Sequence, residues 1–494
     1  MTAAVNPTAR RLSLPTRLFY GSGTIAFGVK DNGFNYFLLI FYNQVMGLPA
    51  QTVGLAIMIA LCVDAFIDPI VGQVSDNWRS KWGRRHPFMY AAAIPVAVSY
   101  VLLWNPPSGW GHGALFVYLI VVAILIRSFI TVYEIPSQAL AAELTTDYDE
   151  RTRLLSWRML FSWIGGLAIY FAAWMVFLKP DAEHPVGQLN PAGYSNYGFA
   201  AAVIMAVAIL VSALGTHREI PRLREAPHRE ATLGVLVREM FGTLANRSFL
   251  ALLGAYLFFS MAVGLIFSIS TYMSTYFWEF SREQIAYFSF SSLTAAIIGA
   301  ILAPTVSRRF NKRPSAMAMI IVSLLVGATP IMLRLTGVLP GNDWGGIYPL
   351  IFVQNVISTA LGTAGAILLN SMIADVVEDS ELRTGRRQEG LFFAAAAFVQ
   401  KAVSGVGIFA SGMLLGLVQF PQGAQPGQVP AEVLFRLGAT YVPVLGLLYV
   451  IALFCLAGYR ISRRSHEESL ARLAAASELA GHGEPPASTA KLSP

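Results

Sequence analysis

The segment AIMIALCVDAFIDPIVG, residues 56–72, has the length and composition of a membrane-spanning helix but contains two acids, Asp64 and Asp68. Carboxylates four residues apart lie on one face of a helix. Because a charge is costly to hold in hydrocarbon, acids inside a membrane helix usually face a water-filled cavity and take up a cation or a proton. The segment therefore predicts a membrane helix with an ion-binding face.

The composition of the whole chain is that of an integral membrane protein. Of its 494 residues, 55% are hydrophobic and 13% are charged, and the mean hydropathy is +0.56. A soluble globular protein has about 25% charged residues. Apolar stretches of about 20 residues, the length that crosses a bilayer, recur along the chain. They predict an all-α protein with twelve transmembrane helices, centred near residues 32, 62, 96, 128, 166, 206, 260, 294, 324, 360, 402 and 448.

The net positive charge of the chain, formally +7, lies in alternate loops and so does not indicate a nucleic-acid-binding patch. The positive-inside rule predicts that the central loop and both termini are cytoplasmic. The N-terminal stretch lacks the apolar core of a signal peptide. Cys62 and Cys455 both lie in apolar stretches, so no disulfide framework is expected.

One charged interior segment, residues 215–245, divides the chain into two halves. We expect a cytoplasmic N-terminal segment (1–16), a first six-helix bundle (17–214), a second bundle (246–461) and a disordered cytoplasmic tail (462–494). The loop after the second helix of each half carries a basic cluster, which indicates pseudo-symmetry. Two such halves form the major facilitator fold, in which the substrate binds near the midplane between them.

Three motifs are similar to the signatures of one transporter family. DPIVGQVSDNWRSKWGRRHP, residues 68–87, resembles the signature of the loop between helices 2 and 3 in the major facilitator superfamily. Residues 134–159 and 374–405 resemble the second and third signatures of the glycoside–pentoside–hexuronide:cation symporters, the melibiose-permease-like family. The motifs occur in the family's order, and the resemblance extends to about residue 460. It implies a cation-coupled symporter.

The resemblance implies a cation site on the second and fourth helices. Asp64 and Asp68 match the family's two acidic cation positions, and the hydroxyl of Thr131 matches a third ligand. A hard cation prefers several oxygens, which two carboxylates one turn apart supply. Asp64 and Asp68 are thus the candidate metal ligands, with Na⁺ or H⁺ as the coupling ion and no other cofactor expected. The alternative is that an acid only pairs with a basic residue of the bundle.

Glu134 and Arg158 are candidate substrate-binding residues. Glu134 follows Thr131 by three residues on the same helix face, and Pro136 is expected to interrupt that helix and free a carbonyl. The resemblance implies that Glu134 hydrogen-bonds sugar hydroxyls and that Arg158, on the fifth helix, borders the sugar site. The alternative is a charge pair between Glu134 and either Arg158 or Arg127.

Lys401 stands alone in an apolar stretch of the eleventh predicted helix. Because a buried ammonium without a partner is costly, we expect it to pair with Asp64 or Asp68. In this interpretation Lys401 replaces the cation when the site is empty, links the two halves and borders the substrate. The alternative is a purely structural ion pair.

The first predicted helix carries polar groups that are candidates for substrate binding. The resemblance implies that an acid on this helix contacts the sugar. Asp31 matches that acid if the alignment contains a short gap, and Asn35 is the alternative for the same position.

The aromatic part of the expected sugar site departs from the family pattern. Melibiose-type members have one tryptophan on the fourth helix and one on the tenth, where this chain has Gln138 and Ala366. Gln138 remains a substrate candidate, and Tyr133 and Trp157 are candidates to provide a ring. Because the cation positions match better than the sugar positions, a sodium-coupled lysophospholipid carrier of the same broader group is the alternative.

Four charged residues are candidate gating residues. Asp76, Arg84 and Arg85 lie at the loop after the second helix, and Asp375 lies at the corresponding end of the tenth. Charged pairs at cytoplasmic helix ends lock one state of a transporter and break when it opens, so Asp375 is a candidate partner of these arginines or of Arg386 and Arg387. The alternative is that these are solvated loop charges.

The functional hypothesis is a cation-coupled secondary symporter that imports a glycoside, hexuronide or related small solute by alternating access. Its expected partners are that solute, a monovalent cation and the lipid bilayer, not nucleic acid. We expect a monomer in a bacterial inner membrane. An enzyme is not expected, because no metal-ligand, nucleophile or phosphate-binding motif is present. A non-transporting sensor is the other alternative, which the retained Asp64, Asp68 and Lys401 disfavour.

Overall fold

The structure is a computed structural model that describes residues 12–145, 147–223, 246–384, 389–459 and 461. Within these residues it consists of helices joined by turns and loops, without a β-strand. The principal helices are α1 (14–45), α2 (Ala50–Asn77), α3 (His86–Trp104), α4 (His112–Leu144), α5 (Tyr148–Ala172, continued by Ala173–Phe177), α6 (Pro191–His217), α7 (Arg247–Tyr272, continued by Met273–Phe277), α8 (Arg282–Arg309), α9 (Lys312–Leu335), α10 (Ile347–Thr384), α11 (Glu389–Leu417) and α12 (Ala431–Ala457).

In the described part of the chain, eleven helices, α2–α12, are long and apolar enough to cross a membrane. The twelfth, α1, is interrupted. It is α-helical over Leu14–Ser22, Ile25–Asn32 and Leu38–Ile40, and it forms π-helical turns at Gly33–Phe37 and Phe41–Val45. The predicted all-α membrane fold with twelve helices is confirmed.

The helices form two bundles with the same internal packing. In the first bundle α2 packs on α4, α3 on α4 and α6, and α1 on α5 and α6. In the second, α8 packs on α10, α9 on α10 and α12, and α7 on α11 and α12. Each pair of the first bundle thus recurs six helices later. This is the pseudo-symmetry of the major facilitator fold.

Local side chains fix several helix ends. Asn190 and Asn246 accept backbone N–H groups at the starts of α6 and α7, and Ser281 forms a capping box with Gln284 at α8. Because α1 begins before residue 17 and α6 ends at His217, the first bundle extends slightly beyond its predicted bounds. Most of the predicted central loop and the tail after residue 461 lie outside the described residues.

The bundles have a linker end, where α6 ends and α7 begins, and an opposite far end. At the linker end, the Thr16 hydroxyl of α1 donates to Glu219, just beyond α6, over 3.3 Å.

Across the bundle interface α2 packs on α11, and α5 on α8. The α2–α11 contact is close: a Cβ at Gly412 would lie 2.3 Å from the carbonyl oxygen of Ala50. A larger residue there requires the two helices to separate.

Hydrogen bonds close the far end between the bundles. Thr271 of α7 donates to the Tyr36 carbonyl over 2.8 Å, and the Tyr272 hydroxyl donates to Asn43 Oδ1 over 2.8 Å. Gln44 donates to the carbonyl of Pro421 over 3.1 Å. These three bonds join the two bundles at the end away from the linker.

Candidate cation and substrate site

The two acids of α2 lie near the middle of the helix and face α4. Asp64 is buried, with 2% of its surface exposed, and Asp68 is partly exposed. The Thr131 hydroxyl lies 3.0 Å from Asp64 Oδ1 and 3.1 Å from Asp68 Oδ1. A hydroxyl has one proton, so the two carboxylates share one donor. The three predicted cation ligands therefore lie together.

Two cations neutralise these acids. Arg127 of α4 donates from Nη2 to Asp64 Oδ2 over 2.7 Å. Lys401 of α11 donates from Nζ to Asp68 Oδ2 over 2.6 Å and lies 3.7 Å from Asp64 Oδ2. The ion pair expected for Lys401 is present and joins the two bundles near the middle of the membrane-spanning segments. The acids also have the basic partners that the structural alternative requires.

Glu134 lies one turn along α4 from Thr131 and is partly buried. The positive charges of Lys401, Lys30 and Arg158 act on its carboxylate. Among the described residues, however, no cation forms an ion pair with it, because Arg127 pairs with Asp64 instead. A carboxylate near three cations but bonded to none of them is suited to accept hydrogen bonds from a ligand.

The predicted break of α4 at Pro136 is absent, although a proline inside a helix still leaves one backbone carbonyl without its N–H donor. The helix is continuous over His112–Leu144. Proline removes one N–H donor from the ladder, but neighbouring helices hold a membrane helix together through such a position.

A chain of hydrogen bonds orients Arg158 of α5. Its Nη1 donates to Ser137 over 2.6 Å, and its guanidinium lies over the Tyr20 ring at 5.4 Å. Ser137 contacts the Tyr133 hydroxyl at 3.4 Å, which donates to Ser212 of α6 over 3.1 Å. Tyr133 is thus buried inside the first bundle. This position does not suit the predicted stacking role and makes Tyr133 a support for Arg158.

The two candidates on α1 have different surroundings. Asp31 is paired with Lys30 over 2.7 Å, and the Lys30 ammonium also lies 4.1 Å from the centre of the Phe27 ring. Asn35 is partly buried, on the next turn of α1. Lys30 is itself buried, so α1 adds a neutral pair of charges to the site.

Neither of the two remaining candidates replaces the absent tryptophans directly. Gln138 of α4 is exposed and has no aromatic ring. Trp157 of α5 is partly buried, packs 6.0 Å from the Phe161 ring and borders α1 at Gly21. The departure from the family's sugar site therefore persists in the tertiary structure.

The charged loop after α2 forms a compact cluster within the first bundle. Asp76 Oδ1 accepts from Arg85 over 2.5 Å. Glu143, near the end of α4, accepts from Arg84 Nη2 over 2.8 Å and from Arg85 Nε over 2.7 Å. These residues form buried or half-buried ion pairs, so the interpretation as solvated loop charges does not apply. The cluster ties the linker ends of α2, α3 and α4 together.

Asp375 belongs to the equivalent cluster of the second bundle. It accepts from Lys312 Nζ over 2.6 Å, and the Tyr459 hydroxyl lies 3.4 Å away. The expected pairing of Asp375 with Arg84 or Arg85 is therefore not formed, because those arginines bond within their own bundle. Its other predicted partners, Arg386 and Arg387, lie outside the described residues. Lys312 lies at the start of α9, and Arg84 and Arg85 lie just before α3, the equivalent helix of the first half. The second half therefore repeats the arrangement of the first.

Sequence reasoning did not assign three residues to these clusters, although it named Arg127 as an alternative partner of Glu134. Arg127 and Lys30 are lone cations in apolar segments, a signal that the sequence displays. Arg127 also lies four residues before Thr131, on the same helix face. Glu143 carries no such signal, because it lies in a polar segment at the end of a helix.

Two pseudo-symmetric six-helix bundles, joined by the ion pair of Lys401 with the α2 acids, form the major facilitator fold. The amino-acid sequence identifies the family of the protein: residues 19–463 match the model of the family described as MFS/sugar transport protein. The chain belongs to this family, and its predicted membership of the glycoside–pentoside–hexuronide:cation symporters is confirmed. The family consists of transporters, so the protein is an integral membrane transporter and not an enzyme.

Individual relatives cover almost the whole chain. The uncharacterized symporter sll1374 of Synechocystis sp. is 26% identical, over 93% of this chain and 96% of the relative. The putative glycoside/cation symporter YagG of Escherichia coli is 25% identical, over 97% and 99%. The xylose transporter XylE from E. coli, solved in an inward open conformation, has a TM-score of 0.60 at 15% identity, over 92% and 98%. The last likeness shows the fold alone.

Proposed function

We propose that the protein couples the uptake of a glycoside, a hexuronide or a related solute to a monovalent cation that acts at Asp64, Asp68 and Thr131. The observation that carries this proposal is the bond of Lys401 to Asp68 over 2.6 Å. It joins the candidate cation site to the second bundle, so a cation that displaces the ammonium changes a contact on which the arrangement of the bundles depends.

Besides the two α2 acids, the ammonium of Lys401 has a third acid within its electrostatic reach, namely Glu134. When a cation occupies the α2 acids, Lys401 is free to act on Glu134 and on a substrate that Glu134 binds. Substrate and cation then stabilise each other, and the coupling is reciprocal by linkage.

The polar groups near the bundle interface suit a substrate with hydroxyl and anionic groups. Glu134 is suited to accept hydrogen bonds from the hydroxyls of a substrate. The guanidinium of Arg158, which Ser137 holds in place, is suited to donate to a carboxylate or phosphate of the substrate in a bidentate manner. We therefore favour a glycoside or uronide. Because Gln138 and Ala366 provide no stacking ring, a lysophospholipid is the second candidate.

The charge pattern of the loops supports an orientation of the protein in the membrane. By the positive-inside rule the linker end faces the cytoplasm of a bacterial inner membrane. The closed far end then faces outward, so the described conformation of the transporter, which we expect to be a monomer, is not open to the outside.

Uptake in proteoliposomes tests the proposal. Substrate-dependent sodium entry and pH change are measured for glycosides, uronides and lysophospholipids, with wild type beside Asp68→Asn and beside Arg436→Gln as an exposed control. Cation entry evoked by a glycoside or uronide, lost in Asp68→Asn only, is the expected result. A response to lysophospholipid alone replaces the substrate assignment. Uptake that is equal in all three proteins removes the α2 acids from the mechanism.

A further inference from the structure

Arg127 lies inside the candidate cation site, although the family resemblance provides only acids and a hydroxyl there. It is 5% exposed, and its guanidinium carbon lies 5.5 Å from the centre of the Phe34 ring. Its Nη2 donates to Asp64 over 2.7 Å. Arginine keeps its charge at every pH relevant to proteins, so Asp64 has a permanent cation as its partner.

The charges of the site are already balanced in this arrangement. Two carboxylates face two cations, and a sodium ion would add a positive charge that no further acid compensates in a buried place. The charged side chains around these four also balance in number. The inner set consists of Asp64, Asp68, Arg127 and Lys401, and the outer set of Lys30, Asp31, Glu134 and Arg158.

Arg127 and Lys401, the two cations of the inner set, differ in how easily they can move away from the α2 acids. The side chain of Lys401 is 24% exposed, and Glu134 is a third acid within its electrostatic reach. Arg127 is enclosed by Phe34 and Asp64, and its Nε already has no hydrogen-bond partner among the described residues. Moving it away from Asp64 would leave a buried guanidinium without its ion-pair partner, which is strongly destabilising.

We infer that Arg127 determines ion specificity by excluding sodium: its guanidinium occupies Asp64 and removes one of the two carboxylates that a sodium ion needs. This rests on the proposed function and narrows it, since symport by this protein then does not use sodium. Without the arginine charge, two carboxylates would face one ammonium. The remaining negative charge and the freed oxygens would form a site for a monovalent cation.

Thermal unfolding of the full chain in detergent tests the inference at fixed pH, with sodium chloride compared with choline chloride at equal ionic strength. Wild type is expected to unfold at the same temperature in both salts. Arg127→Gln, which keeps a hydrogen-bond donor but loses the charge, is expected to unfold about 3 °C or more higher in sodium, because a ligand that binds the folded state stabilises it. Arg127→Lys and the exposed Arg436→Gln are expected to match wild type.

A sodium-specific rise in wild type or in Arg127→Lys overturns the inference, and so does its absence from folded Arg127→Gln. If Arg127→Gln does not purify as a folded protein, Arg127→Ser, whose hydroxyl is also a sodium ligand, is measured in its place. The readout involves no solute uptake. A protein that transports none of the glycosides or uronides ends the proposed function, whereas a wild type that binds sodium ends this inference alone.

Discussion

The bond between Lys401 and Asp68 yields a quantitative prediction for the double-mutant cycle of Lys401→Gln and Asp68→Asn. The two side chains meet at 2.6 Å, and they are 24% and 21% exposed. Breaking a fully buried ion pair by removing one partner costs about 3–5 kcal/mol. Because water reaches this pair in part, we expect each single substitution to cost about 2 kcal/mol.

The double variant should be more stable than the sum of the single changes predicts. It removes both charges, so neither is left without its partner, and we expect a coupling energy of about 1–2 kcal/mol. Thermal unfolding of the four proteins in one detergent and buffer measures it. The same cycle on Arg436 and Glu432, an exposed pair within α12, is the control and should give less than about 0.5 kcal/mol.

Additive effects of Lys401→Gln and Asp68→Asn would refute this reasoning. In that case the 2.6 Å contact contributes no stability of its own, and Lys401 does not link the bundles energetically. A coupling energy as small as that of the exposed α12 pair has the same meaning.

Three further predictions concern the linker end, the far end and the α5–α6 loop. Glu143→Gln removes the acceptor shared by both loop arginines; we expect a loss of about 2 kcal/mol in thermal unfolding, and an unchanged midpoint contradicts it. Gly412→Leu places a side chain against Ala50, so maleimide labelling of a cysteine introduced into the α1–α2 loop should increase; equal labelling contradicts a closed far end. The backbone N–H of His184, 2.6 Å from Asp181 Oδ1, holds the pKa of Asp181 below its usual range. This hydrogen bond is therefore fully present above the ordinary pKa of a carboxyl group and is lost as the pH falls through the lowered pKa of Asp181. The hydrogen-exchange protection of the His184 amide should decrease over the same pH range, and protection that acid does not change refutes the prediction.

Most of the fold is determined by local sequence. The apolar stretches, the alternating basic loops and the three motifs predict twelve helices in two halves, because the bilayer requires each segment to satisfy its own backbone hydrogen bonds. Local sequence also identifies Asp64, Asp68 and Thr131 as candidate ligands. The spacing of the two acids along α2 places their side chains on one face of the helix. The interruption of α1 and the continuity of α4 through Pro136 are exceptions, because neighbouring helices decide them.

Only the tertiary structure decided which charges pair. On α4, Arg127 is close in helical position to both Thr131 and Glu134, so the sequence allowed it to pair with an acid on its own helix or on another. The packing of α2 against α4 brings it to Asp64. Glu134 is then under the influence of three cations but forms no ion pair within the described part of the chain. Likewise Asp375 pairs within its own bundle. Ion pairing depends on distances between helices, and hydropathy and motif spacing report only on positions within one helix.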